Sequence, residues 1–105
     1  MPARTDKRVK QAWGEALYFR RWECKMTQQL LTAQVGVTDA TVSSYESGRA
    51  IPNVIVAQRI VKALDWTVEE WAREAERRLN DETWTPYHFP TRFRDGWGGY
   101  YGKHP

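Results

Sequence analysis

The residues of this chain with distinctive chemistry are few, and they suit holding a partner better than breaking a bond. His88 and His104 are sixteen positions apart in a Gly/Pro-rich stretch. No Cys or carboxylate accompanies them at ligand spacing, so no metal site is expected. Cys24 is the single cysteine, with Arg21 and Lys25 as cationic neighbours in sequence. No histidine of the helical region stands ready as its base, so an inert thiol is expected and no catalytic residue is assigned. The run GWGGYYG in the C-terminal stretch lacks the preceding strand, the following helix and the Lys of a phosphate-binding loop. No cofactor is expected. What remains is non-covalent chemistry: a Thr-, Ser-, Gln- and Asp-rich stretch from Thr27 to Arg49, with cations at both ends of the chain.

The stretch TQQLLTAQVGVTDATVSSYESGR is built to hold such side chains in place. Thr27 is an N-cap, and the helix behind it carries Leu31 and Val35 on one face with Leu30 beside them. Gly36 tolerates the left-handed conformation that closes a helix. Val37 follows as a small apolar plug. Thr38 caps a second helix, Asp39 lies in its positive first turn, and Val42 and Tyr45 share its inner face. Gly48 ends it. A helix, a turn containing Gly and a second helix form the layout that places one helix in a DNA groove.

Before this stretch, residues 1–8 read as a flexible basic arm, either solvated or touching DNA backbone or minor groove. Residues 9–24 read as the first helix, with Val9, Ala12, Trp13, Ala16, Leu17 and Arg20 at steps of three and four. The Arg20 stem is expected to cover apolar surface while its charge faces out. Phe19 and Trp22 lie off that stripe and either widen the core face or meet another part of the chain. After the stretch, Arg49 to Pro52 form a loop, and Pro52 pushes Ile51 toward an extended conformation. Asn53 caps a fourth helix with Val54, Ala57, Ile60, Val61 and Leu64 as its stripe. Thr67 with Glu70 forms a capping-box pattern for a fifth. That helix shows Val68, Trp71, Ala72, Ala75 and Leu79 on one face. Pairs Glu69–Arg73 and Glu74–Arg78 are expected on a solvated ionic face.

From Asn80 the composition shifts: residues 80–105 hold four of the seven glycines and three of the five prolines. This segment reads as an extended tail with a short strand or hairpin around Tyr87 to Tyr101. Three readings stay open for it: folding back over Trp22 or Trp66, holding a second subunit or another protein, or stacking on nucleic acid with Arg92, Arg94 and Lys103. The organisation is therefore an arm over 1–8, a helical domain over 9–79 and an aromatic extension over 80–105.

The chain has 105 residues, enough for one domain and too few for a large catalytic cleft. Its formal net charge is +3, unevenly placed. Residues 1–25 hold seven Lys or Arg against three Asp or Glu, and residues 26–52 are net negative by one. Attraction for phosphate is thus expected mainly from the arm and first helix. No apolar run approaches the ~20 residues of a membrane span, and the N-terminus lacks a signal-peptide core. A lone cysteine fits a reducing cytoplasm.

Five helices with the second and third as helix-turn-helix resemble the Cro/lambda-repressor-like (XRE) family over roughly residues 9–72. The resemblance rests on Thr27-Gln28, Leu31, Gly36-Val37-Thr38, Val42-Ser43, Tyr45-Glu46, Gly48 and Pro52, then Ala57, Ile60, Leu64, Thr67, Val68 and Trp71. It implies an all-α, five-helix lambda-repressor-like DNA-binding domain, here with an aromatic, Gly-rich tail. It further implies that Gln28 contacts phosphate and braces the recognition helix. Thr38, Asp39, Ala40, Thr41, Ser43 and Ser44 would supply base or backbone contacts, and Arg49 would lie near phosphate. Glu46 would hold the following loop, with Arg20 or Arg21 paired to it. Thr32 stands where the family usually has Ala, at the crossing of the two helices, and its hydroxyl can bond back to the preceding turn. The outward set contains no Arg, Lys, Asn or Gln, the types that read guanine or adenine with two bonds.

These features imply a sequence-specific transcriptional regulator, a repressor acting as a homodimer on double-stranded DNA, in the cytoplasm of a prokaryote or phage-encoded. Helix five or the tail would form the dimer contact. The alternative is an antitoxin-like or adaptor protein that keeps the fold and binds a protein partner through the Trp84–Tyr101 tail.

Overall fold

A computed structural model describes residues 4–87. It contains five helices: α1 (Asp6–Glu23), α2 (Gln28–Val35), α3 (Asp39–Glu46), α4 (Val54–Ala63) and α5 (Val68–Asn80). The all-α, five-helix expectation holds. Every helix is started by a side chain that accepts from a main-chain N–H three residues on: Thr5, Thr27, Thr38, Asn53 and Thr67. The Thr67–Glu70 capping box is complete, since Glu70 also accepts from the Thr67 N–H at 3.0 Å. Such caps satisfy donors that a helix start leaves open. Gly36 closes α2 at φ 86. By contrast, α1 and α4 are followed by left-handed residues that are not glycine, Lys25 at φ 54 and Asp65 at φ 53.

The core gathers Leu17, Leu31, Val35, Val42, Ile60, Val61, Leu64 and Trp71 at the centre of the helices. A second cluster, Ala12, Ala75 and Leu79 with Val9 and Trp84 against it, joins α1 to α5. Trp71 packs edge-on to Trp13 and donates its indole N–H to the Trp13 carbonyl at 2.9 Å. Gly14 lets α1 approach α3: a Cβ there would stand 2.3 Å from the Tyr45 carbonyl oxygen. No other residue leaves room for that crossing.

Several expectations are corrected. The first helix begins at Asp6, because Thr5 caps it and Asp6 suits its positive end. The described part of the arm is not free. Arg4 donates to Glu76 and Asn80, and Arg8 donates to the Trp84 carbonyl at 2.9 Å while stacking 4.7 Å from its ring. Arg20 does not point outward. Its guanidinium bonds the carbonyls of Leu64 and Asp65 at the end of α4, where a cation meets the negative helix terminus. Arg78 is buried rather than solvated: its Nε bonds Glu15 at 2.7 Å, though Glu74 is also within 3.2 Å.

Glu15 is the hub for the segment after α5. Its carboxylate accepts from Arg78, from the Trp84 indole at 3.0 Å and from the Tyr87 main-chain N–H at 2.8 Å. Tyr87 then stacks on Tyr18 and meets Phe19 edge-on. Residues 81–87 thus fold back along α1, on Tyr18 and Phe19 rather than on Trp66. The expected hairpin, His88, His104, Arg92, Arg94 and Lys103 lie outside the described residues.

Candidate nucleic-acid interface

The recognition helix α3 is held from within by a buried polar network. Arg21 and Glu46 are both fully enclosed and pair through two bonds, 2.6 and 3.0 Å. Gln28 donates to Glu46 at 3.0 Å, and Ser43 donates to the Gln28 side-chain oxygen at 3.2 Å. Arg21 also reaches the Met26 carbonyl at 2.9 Å. α1, the turn before α2, α2 itself and α3 are thereby tied at one point. Charges taken from water persist only when paired and fully hydrogen-bonded, as these are. Arg21, not Arg20, is the partner of Glu46.

This geometry sorts the expected contact residues. Gln28 braces α3, and its amide side chain is enclosed. Ser43 is buried and faces inward, which corrects its placement among outward residues: at one helical turn before Glu46, it shares that residue's inner face. Glu46 binds Arg21 and Gln28 rather than the following loop. The loop is instead held by the Ser44 carbonyl, which accepts from the N–H groups of Arg49 at 2.9 Å and Ala50 at 3.2 Å. Gly48 at φ 83 makes that return possible.

The outer side of α3 is modest in size and chemistry. Thr38 and Ala40 are exposed, and Asp39, Thr41 and Ser44 are half-buried. Thr38 accepts from the Thr41 N–H at 3.1 Å, and the two hydroxyls lie 2.9 Å apart. Asp39 accepts from Thr32 of α2 at 3.1 Å, and Thr32 also bonds back to the Gln29 carbonyl at 2.9 Å. The Thr32–Asp39 bridge crosses from one helix to the next, so no local spacing signals it. Arg49 is exposed, with no side-chain bond among the described residues.

The helix-turn-helix model matches residues 18–71, which contain the buried network, both helices of the turn and the start of α5. The chain belongs to the helix-turn-helix family. This is the XRE-type arrangement expected from the residues. Two relatives are similar to this chain. An uncharacterized HTH-type transcriptional regulator of Methanothermobacter thermautotrophicus is 46% identical over 44 residues, covering 42% of this chain and 64% of that protein. Multiprotein-bridging factor 1 of Candida albicans is 36% identical over 58 residues, covering 55% of this chain and 38% of that protein. The chain thus spans less than two thirds of either relative. Among the described residues there is no group of three metal-ligating side chains. No helix among them is long and apolar enough to cross a membrane.

Proposed function

We propose that this chain is a sequence-specific DNA-binding transcriptional regulator, a repressor working as a homodimer on a two-fold operator. The observation that carries this reading is the buried Arg21–Glu46–Gln28–Ser43 network. It holds α3 rigidly while Thr38, Ala40, Thr41 and Ser44 reach its outer surface. A recognition helix must be held this way to present a few side chains to base edges. Family membership and the printed description of the archaeal relative as a transcriptional regulator support it.

In this reading α3 enters the major groove from its Thr38 end. Asp39, Ala40, Thr41 and Ser44 face bases or nearby backbone. Arg49 and the Gln28 main-chain N–H, at the positive start of α2, take phosphates. One small domain reads few base pairs, so two copies would bind half-sites about one helical turn apart. Exposed Ile51 (47%), Val54 (67%) and Ile55 (59%) form the better subunit contact, because the apolar face of α5 is already covered by α1. Such a protein would repress by occluding polymerase and would work in the cytoplasm. Quantitative footprinting upstream of its own gene should show a protected inverted repeat at sub-micromolar protein. A flat footprint there would sink the repressor reading.

A second reading is favoured by two observations: the fungal relative is named as a bridging factor, and aromatic residues continue past the Glu15-anchored strap. There the fold serves as an antitoxin-like or adaptor module that binds a protein through the Trp84–Tyr101 tail. Pull-downs with and without residues 88–105 separate the two. A tail-dependent partner together with negligible, salt-insensitive DNA binding would favour the adaptor.

A further inference from the structure

α3 begins with a carboxylate, the charge a phosphate-lined groove least accommodates. Asp39 is its first residue and is half-buried. One oxygen, Oδ1, is bonded by the Thr32 hydroxyl at 3.1 Å, across the α2–α3 crossing. The same hydroxyl lies 2.9 Å from the Gln29 carbonyl, so its single proton is shared between two acceptors. No Lys or Arg pairs with Asp39 among the described residues. Its second oxygen, Oδ2, makes no bond among them either. The carboxylate is therefore tethered on one side and has no ion-pair partner among the described residues, at the end of α3 that would enter the groove.

We infer that Asp39, positioned by Thr32, is a specificity determinant that selects a base presenting an exocyclic amino group in the major groove, cytosine above adenine. This rests on the DNA-binding role proposed above. An ionised carboxylate only accepts hydrogen bonds. Cytosine offers its N4 amino group there, whereas guanine offers O6 and N7 and thymine O4, all acceptors. Adenine offers an amino group, but with the acceptor N7 beside it. The wrong base therefore leaves a negative charge facing lone pairs, with phosphates around it and no compensating donor. Discrimination of this kind works by rejection as much as by attraction. Ala40, Thr41 and Ser44 read bases weakly, so the sharpest preference in each half-site belongs to Asp39. Thr32 acts only through Asp39: by holding Oδ1 it restricts the turning of the carboxylate, which untethered could swing back to the N–H groups of its own helix start.

The test is selection of bound DNA from a random-sequence pool at stated salt, followed by titration of the selected site and its single-base variants. The proteins are the full chain and its Thr32→Val, Thr32→Ser, Asp39→Ala and Asp39→Asn variants, each first shown to melt cooperatively. The full chain should favour cytosine over guanine or thymine at one position per half-site by on the order of tenfold. Asp39→Ala should flatten the base preference at that position. Asp39→Asn should move the preference to adenine, whose N6 and N7 match an amide. Thr32→Val should weaken the cytosine preference, and Thr32→Ser should keep it. Unchanged base preferences in both Asp39 variants would overturn the inference while leaving the DNA-binding role intact. Wild-type preferences in Thr32→Val would overturn the positioning role of Thr32. A wild-type pool enriching no sequence would overturn the regulator reading itself, and this inference with it.

Discussion

Glu46 and Arg21 show how one pair of side chains sets the position of a helix. Each is enclosed and bonded, so removing one leaves the other charge buried without its partner. Glu46→Ala should destabilise the domain by about 3–5 kcal/mol, measured by urea unfolding. The double replacement Arg21→Met with Glu46→Leu should recover most of that loss, because no charge then remains to be solvated. A double variant as unstable as the single one would show that the pair contributes shape rather than charge. Tyr18 makes a different prediction. It is fully buried, and burial pushes its phenol well above the ordinary tyrosine range. A group whose folded pKa is raised supports the fold below its unfolded value, about 10, and withdraws that support as pH rises further. Melting temperature should therefore fall more steeply above about pH 10 in the natural chain than in Tyr18→Phe.

At the scale of elements, α1 and α5 are joined by more than apolar packing. Glu15 binds Arg78, the Trp84 indole and the Tyr87 N–H, and so docks the segment after α5. Glu15→Ala should lower stability by about 3–5 kcal/mol and free residues 81–87 to rapid hydrogen exchange. Arg77→Ala, which breaks only a surface pair with Glu74, should change stability by about 0–1 kcal/mol. Equal effects from the two would refute the distinction. Periodicity alone places Arg73 and Arg78 of α5 on an outer face. Arg78 is inside because Ala75 and Leu79 bring that side of α5 onto α1, where Glu15 waits. Which helix lies opposite is not a local property. The start of α1 escapes periodicity for a simpler reason: a Thr5–Asp6 start precedes the apolar stripe by a turn.

For the whole molecule, the charge that would meet DNA is small. Arg4 and Arg8 are engaged by α5 and the strap, so the expected phosphate attraction from the arm is reduced. In the proposed complex Arg49 would then carry a large share of it. Arg49→Ala should weaken binding to all sequences about equally and lower the slope of log affinity against log salt by about one. A change confined to one sequence would mean that Arg49 reads a base instead. The exposed Ile51, Val54 and Ile55 belong to this scale too, since only a second copy would cover them in the proposed dimer.

Caps, turns and stripes were legible in the chain because each depends on residues within a turn of one another. Thr27, Thr38, Asn53 and Thr67 all cap where expected, Gly36 closes α2, and the core stripes of α2 to α5 point inward except at their first members in α4 and α5, Val54 and Val68, which are exposed because they stand in the opening turn of each helix. The family followed from the same residues, since their spacing is what builds a helix-turn-helix. Contacts between distant residues were decided only by packing. Arg21 rather than Arg20 meets Glu46, Ser43 turns in to Gln28, and Thr32 reaches Asp39. A buried charge or hydroxyl goes to whichever partner the tertiary fold brings within bonding distance, and sequence separation carries no record of that distance. The turn from Thr27 to Arg49 is thus set by local chemistry, whereas which of its side chains remain to face DNA is set by what the rest of the fold has drawn inside.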